Sequence, residues 1–229
     1  DTLRVIWPHT ANFGPDFRGI LTKVAPKSGQ WVLDVGTSAC WTCRLLAQTG
    51  ARVIAMDVIE TPFNGLRTAD IQFTAHNTYF ERVLESMTAM PFAADSLDYI
   101  FFHAAFHHTP DERQTLQECY RVLKPGGAVV LVNDISSSEA FEKFRRLLGH
   151  KPGGPDEEST EGSHHSVYFR AFRRYAKECG FRIEVIVTEH VRRRLAERLG
   201  PSLGKMACGV LERTGLLRFL STTGVLLHK

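Results

Sequence analysis

Two short runs of β-branched and apolar residues, WVLDV (31–35) and RVIAM (52–56), flank CWTCRLLAQTG, whose apolar residues fall at helical spacing before a stop at Gly50. Runs with no polar residue at every second place suit strands buried on both faces, a property of parallel sheets. The segment therefore reads as strand, turn, helix, strand. FERVLES (80–86) is the next extended run, and LDYIFF (97–102), apolar almost throughout, is predicted to lie centrally in the sheet. Thr109-Pro110-Asp111-Glu112 offers an N-cap, a proline at the first helical position and an acid at the third. The helix predicted from there runs to about Leu123, with Leu116, Cys119, Tyr120 and Leu123 on its apolar face. Lys124-Pro125-Gly126-Gly127 ends it, and GAVVLVND is another buried strand. Alternation of strand and helix over residues 30–135 points to a doubly wound α/β sheet.

Beyond it, KPGGPDEESTEGSHH (151–165) has no periodicity and reads as a mobile loop that could serve as a lid. A helix over about 167–179, Gly180, the strand FRIEVIV (181–187), one or two helices within 190–220 and a last short strand in GVLLHK complete the chain. A length of 229 residues suits one sizeable domain.

At 43% hydrophobic and 23% charged residues, no apolar run approaches the roughly 18 residues that span a membrane. A net charge of +3 makes nucleic acid an unlikely partner, and the basic clusters at 145–146, 173–174 and 192–194 read as solvated helix faces. Cys40, Cys43, Cys119, Cys179 and Cys208 are odd in number and sit in apolar segments, so free thiols in a reducing, cytoplasmic setting are expected. The chain begins at Asp1 without Met, which suggests a trimmed N-terminus.

The chemistry concentrates at the strand ends. Gly36 opens the turn after the first strand, and Asp57 closes the second strand, where a carboxylate can accept both hydroxyls of a ribose. Together they mark an adenosine-type ligand. A dinucleotide would want G-x-G-x-x-G, yet those three places hold Gly36, Ser38 and Trp41, and a tryptophan cannot do the third glycine's packing job.

At these residues the chain resembles the class I S-adenosylmethionine-dependent methyltransferases, in the small-molecule, type 11-like branch. VLDVG looks like their first motif, AMD like their ribose acid, MPFAADSLDYIFFHAAFHH (90–108) like the block around their fourth strand, and RVLKPGGAVVLVND (121–134) like the segment entering their fifth. YFRAFRRYAKECGF (168–181) matches more loosely. The resemblance implies a single domain over 1–229 with a Rossmann-like, mostly parallel seven-stranded sheet and helices on both faces. Residues 28–136 would be the cofactor core, and 137–229 the substrate and lid region with the C-terminal strands. It implies S-adenosylmethionine as cofactor and S-adenosylhomocysteine as product. Asp34, Gly36, Thr37, Ser38 and Ala39 would lie against the methionine part, Asp57 at the ribose and Met87 at the adenine edge. Ser38 and Cys40 stand where the family usually has glycine, so each must avoid left-handed backbone angles or bear a cost of about 1–2 kcal/mol. Ser86 stands where the family often has an acid for the adenine amino group, and Glu85 beside it should point to the other face if the strand continues.

Methyl transfer is an in-line displacement that depends on holding the nucleophile close, and a hydroxyl or phenol acceptor would gain from a base. His103 and His107 are the candidates, with His108 beside them and His164 and His165 at the end of the loop; His103 sits closest to the strand end. Strand capping is their structural alternative. The histidines lack a compact ligand spacing such as His-Glu-x-x-His, and no metal is expected. Cys40 and Cys43 form a CxxC at the cofactor turn, where buried packing is the simplest role. Trp41 reads as core, and Arg44 as facing the cofactor carboxylate or solvent. The basic and apolar stripes of HVRRRLAERLGPSLGKMACGVLERTGLLRFL fit either helices packed on a sheet or contact with a membrane surface or lipid-linked acceptor. The function expected is methyl transfer to an O or N atom of a small molecule. Its alternative is a non-catalytic module that keeps the fold with a degenerate cofactor loop.

Overall fold

The computed structural model describes residues 10–136, 166–214 and 223–229. The loop at 151–165, with His164 and His165, and the basic pair at 145–146 lie outside the described residues.

Strands β1 (Trp31–Val35), β2 (Arg52–Asp57), β3 (Glu81–Leu84), β4 (Leu97–His103) and β5 (Leu123–Ser136) pair in parallel. The two-residue β6 (Val167–Tyr168) adds to β5 in parallel, while β8 (Thr223–His228) runs antiparallel between β5 and β7 (Arg182–Ile186). The order β3-β2-β1-β4-β5-β8-β7, with β6 off the path, is the doubly wound sheet expected, at eight strands rather than seven among the described residues. The order reverses between β1 and β4, so the crevice beyond the carboxyl ends of those strands is where ligands of such sheets bind.

The unbroken apolar runs have a direct cause. Leu33, Val35, Ile54, Met56, Ile100, Phe102, Val129 and Leu131 face one core, and Val32, Val53, Ala55, Phe101, Val130 and Val132 face the other. The first core is closed by α4 (Glu112–Val122) and α5 (Phe169–Glu178) through Leu116, Cys119, Val122, Phe172 and Ala176. The second is closed by α1 (Thr10–Val24), α2 (Trp41–Ala47) and the start of α3 (Ala69–His76) through Phe17, Ile20, Cys43, Leu46 and Ala69. Asp34 lies on the same face as Val32, which turns its carboxylate under α2.

Three local expectations shift. The helix after Thr109 begins two residues later, with Asp111 as its N-cap accepting from Gln114 N. The Thr109 hydroxyl stays one turn back, accepting from Asp111 N at 3.3 Å and lying 2.6 Å from that of Thr115. β5 starts at Leu123, directly after α4, and includes the Lys-Pro-Gly-Gly segment. β3 ends at Leu84, two residues short of the predicted run.

The C-terminal region supplies a pair of helices, α6 (Glu189–Leu199) and α7 (Pro201–Thr214). The amino end of α6 is capped from far away: Asp16 of α1, 2% exposed, accepts from His190 N at 2.7 Å. Burial pushes the Asp16 carboxyl up and the His190 amide pulls it back. One buried acceptor thus ties the first described helix to the C-terminal pair. We expect Asp16→Ala to lower unfolding stability by about 1–2 kcal/mol, and Asp16→Asn, which keeps an acceptor, to lose less. Denaturant midpoints at unchanged slope are the check.

Candidate active site

The turn after β1 is the centre of the site. Gly36 N donates to Met56 O at 2.8 Å, continuing the ladder to β2, and its φ of +67° lies in the left-handed region. A Cβ there would stand 2.6 Å from Ala105 Cβ, so both backbone and space require glycine. Ser38 and Cys40 keep the left-handed angles of the glycines they replace, at φ 44° and 52°. Of the two outcomes open to them, they bear the cost, about 1–2 kcal/mol each.

The segment after β2 holds them in place. Ser38 N donates to Asp57 Oδ2 at 3.1 Å, Ser38 O accepts from Gly65 N at 2.9 Å and Thr68 Oγ1 at 2.8 Å, and Gln72 Nε2 donates to Ala39 O at 3.2 Å. Within the turn, Cys40 N donates to Thr37 O at 2.8 Å, and the buried Cys40 thiol lies 3.4 Å from Thr37 Oγ1. The glycine-type shape survives because β2 and its exit clamp the turn from outside.

Two acids stand beneath. Asp34, 1% exposed, accepts from Thr42 Oγ1 at 2.6 Å and Cys43 Sγ at 3.0 Å. Burial pushes it up to about 6 against the pull of those two donors. Cys43 is therefore more than packing. Asp57 is buried, which raises its pKa, and accepts from Ile59 N at Oδ1 as well as from Ser38 N at Oδ2. The amides of Val58 and Thr37 also act on this carboxylate, so its first task is to hold the turn.

Beside Asp57, apolar side chains are left in water. Val58 is 65% exposed and Leu84, paired with Asp57 across β2 and β3, is 54% exposed. Neither was singled out from sequence; the available signal was an apolar residue directly after a strand-end acid. Glu85 does not turn away by strand alternation, because β3 ends before it; its Oε1 accepts from Ser86 N at 2.8 Å. The Ser86 hydroxyl is 2.8 Å from that of Thr88, and Met87 is half-buried against the first core.

The histidines separate. His103 ends β4 with its ring edge-on to Phe17 and Trp41, at 5.6 and 5.1 Å between centroids. Burial pulls it down to about 4, with Asp134 pulling the other way, so this imidazole is neutral near pH 7. Trp41 is half-buried in this aromatic group; Arg44, on the same helix, is half-buried too, and its Nε is buried with no hydrogen-bond partner. His107, in the short turn Phe106–His108, places Nδ1 3.0 Å from Asp134 Oδ1, and its ring lies 4.3 Å from that of His108. Asp34, Gly36, Thr37, Ser38 and Asp57 thus form one cluster, Met87 packs on the first core three residues after β3, and His103 and His107 lie at the β4 exit.

Asp34 yields a signed pH dependence. Its folded value of about 6 lies above the ordinary 3.8, so its contribution to stability is full below 3.8 and is lost as pH rises through about 6. A difference of that size is worth about 3 kcal/mol. We expect Asp34→Asn, whose amide oxygen can still accept from Thr42, to exceed the parent in stability by about 2–3 kcal/mol near pH 8 and to lose that advantage below about pH 4. Urea midpoints across pH provide the test.

Residues 33–131 match the family model described as Methyltransferase domain. A demethylmenaquinone methyltransferase of Clavibacter sepedonicus is 32% identical over 108 residues, 47% of this chain and 42% of that protein. The chain spans about half or less of the curated relatives it matches. Among solved structures, a SAM-dependent methyltransferase from Aquifex aeolicus superposes with a TM-score of 0.64 at 19% identity, covering 98% of this chain and 95% of that one. Phosphoethanolamine N-methyltransferase 2 of Haemonchus contortus, in complex with S-adenosyl-L-methionine, gives 0.59 at 19% identity, covering 93% and 51%. Residues 33–131, which carry the clamped turn and both acids, are thus the part of the chain that matches a methyltransferase domain, and the sheet around them shares the fold of the SAM-dependent methyltransferase structure from Aquifex aeolicus.

Proposed function

We propose that the chain binds S-adenosylmethionine across the 36–40 turn and transfers its methyl group to an O or N atom of a small-molecule acceptor, leaving S-adenosylhomocysteine. The observation that carries this reading is the turn: Ser38 and Cys40 hold left-handed angles that only a clamp from Asp57, Gly65 and Thr68 maintains. A fold that had given up its ligand would have no reason to keep a strained backbone in that shape.

The cradle fits the group. Gly36, pressed against Ala105, fixes the path of the turn, Asp57 stands at the end of β2 for ribose hydroxyls, and exposed Val58 and Leu84 offer apolar cover for an adenine ring beside Met87. Asp34, Thr37 and Ser38 lie below the position of the methionine part. When bound, the sulfonium supplies an electrophilic methyl carbon. The chain's part is to orient the acceptor in line with it and to take a proton where the acceptor carries one. The pair of His107 and Asp134, joined through Nδ1, is where that proton goes, and neutral His103 forms an aromatic wall with Phe17 and Trp41.

Demethylmenaquinone and phosphoethanolamine, the compounds in the relatives' names, support the small-molecule class. The segment 137–229 is assigned to the acceptor side. Leu203, Met206 and Val210, half or more exposed along α7 near Lys205 and Arg213, keep a lipid-linked acceptor at a membrane surface within this reading. Among the described residues no helix is long and apolar enough to cross a membrane. Free, mostly buried thiols support a reducing compartment such as the cytoplasm.

Titration calorimetry with S-adenosylmethionine and S-adenosylhomocysteine is the test. We expect micromolar binding, weakened about tenfold to a hundredfold in Asp57→Ala. A folded chain that binds neither ligand at millimolar concentration overturns the reading in favour of a non-catalytic module.

A further inference from the structure

β5 does not run straight to its end. Between Val132 and Ile135 its pairing with β8 shifts register, and Asn133 takes a left-handed φ of 62°. Irregularities of this kind re-aim side chains, often beside active sites. Here two successive polar residues, Asn133 and Asp134, are brought to the end of a strand that neighbours the crevice between β1 and β4.

Asp134 is 4% exposed. Its Oδ1 receives His107 Nδ1 at 3.0 Å and His107 N at 3.3 Å, whereas its Oδ2 is buried with no hydrogen-bond partner. Asn133 Oδ1 is buried and unpartnered as well. An unsatisfied buried acceptor costs about 1–3 kcal/mol, and more when charged, so folded chains rarely keep one without a use. If the carboxylate served only to orient His107, one oxygen in water would suffice.

The pair is linked to the 36–40 turn through His107. Ala105, the residue against which Gly36 rests, is two residues before His107. Both orphan atoms are oxygens at neighbouring positions, and one belongs to a carboxylate. The complement is a group that donates hydrogen bonds and carries no negative charge.

We propose that Asp134, with Asn133 beside it, forms the subsite for the acceptor's reacting atom, so that the substrate class is a hydroxyl compound or an amine and not a carboxylate or other oxyanion. This rests on the methyltransferase reading and names the substrate class of that same site. Asp134 then has two tasks at once: Oδ1 fixes the His107 ring, and Oδ2 receives the acceptor's O–H or N–H. An anionic acceptor would meet the buried carboxylate with like charge and would leave Oδ2 unpaired.

A probe exists that needs no knowledge of the acceptor. Sinefungin is an analogue of S-adenosylmethionine with a carbon-borne amine in place of the methylated sulfonium, so its ammonium occupies the place where methyl and acceptor meet. Its dissociation constant and that of S-adenosylhomocysteine are measured by calorimetry for the parent chain, Asp134→Asn and Asp134→Glu, with thermal melts confirming that each is folded. The parent should bind sinefungin more tightly than S-adenosylhomocysteine. Asp134→Asn should reduce that preference about tenfold, the loss of one charge-assisted hydrogen bond, while S-adenosylhomocysteine affinity changes less than about twofold. Asp134→Glu, which keeps the charge, should restore part of the preference. A preference unchanged in a folded Asp134→Asn, with both ligands still bound, overturns the subsite and leaves the cofactor reading intact. Failure of the parent to bind either ligand overturns the cofactor reading first and the subsite with it.

Discussion

The hydrogen bond from Ser38 N to Asp57 Oδ2 ties the turn after β1 to the end of β2, beside the crevice between β1 and β4. It lets a turn with side chains at two positions of positive φ keep a shape that glycines would adopt freely. Glycine confers such a turn through its own freedom, whereas here the surroundings impose it. The cost is local and the restraint is distributed over Asp57, Gly65, Thr68 and Gln72. The same carboxylate that a ribose would use therefore also belongs to the fold, and binding and architecture cannot be separated at Asp57.

The rest of the molecule brings the rim of the sheet to a fixed height. Two cores, one on each face, make β1, β4 and β5 rigid up to their last residues. Phe17 reaches from α1 to the rings of Trp41 and His103, so the first helix becomes a wall of the crevice. Its neighbour Asp16 holds the amino end of α6. The crevice is thus bordered by elements from both ends of the described chain.

How much of this was legible in the sequence depended on how local the cause was. Unbroken apolar runs fixed the inner strands, because a strand buried on both faces leaves no other pattern. Asp34, Gly36 and Asp57 could be placed because each stands at a strand end. Three matters were hidden because they depend on distant partners. Thr109 looked like a helix cap, yet Thr115 holds its hydroxyl and Asp111 takes the duty. His103 looked best placed for proton transfer by its position on β4, and only the folded chain shows Phe17 and Trp41 against its ring. Asp134 read as the last residue of a strand motif, since neither the register shift before Ile135 nor the approach of His107 has a signature in the chain. The left-handed angles at Ser38 and Cys40 were posed as a choice that composition could not decide, because the deciding atoms lie twenty to thirty residues further on.

The contact between Gly36 and Ala105 has a mechanical meaning. With no room even for a methyl group between them, the turn beside the cofactor and the exit of β4 bear directly on each other. His107 follows that exit, and Asp134 of the neighbouring β5 holds its ring, so the turn, the β4 exit and the end of β5 are joined by direct contacts. Any displacement of the turn would be felt first at the exit of β4, because the two surfaces already touch.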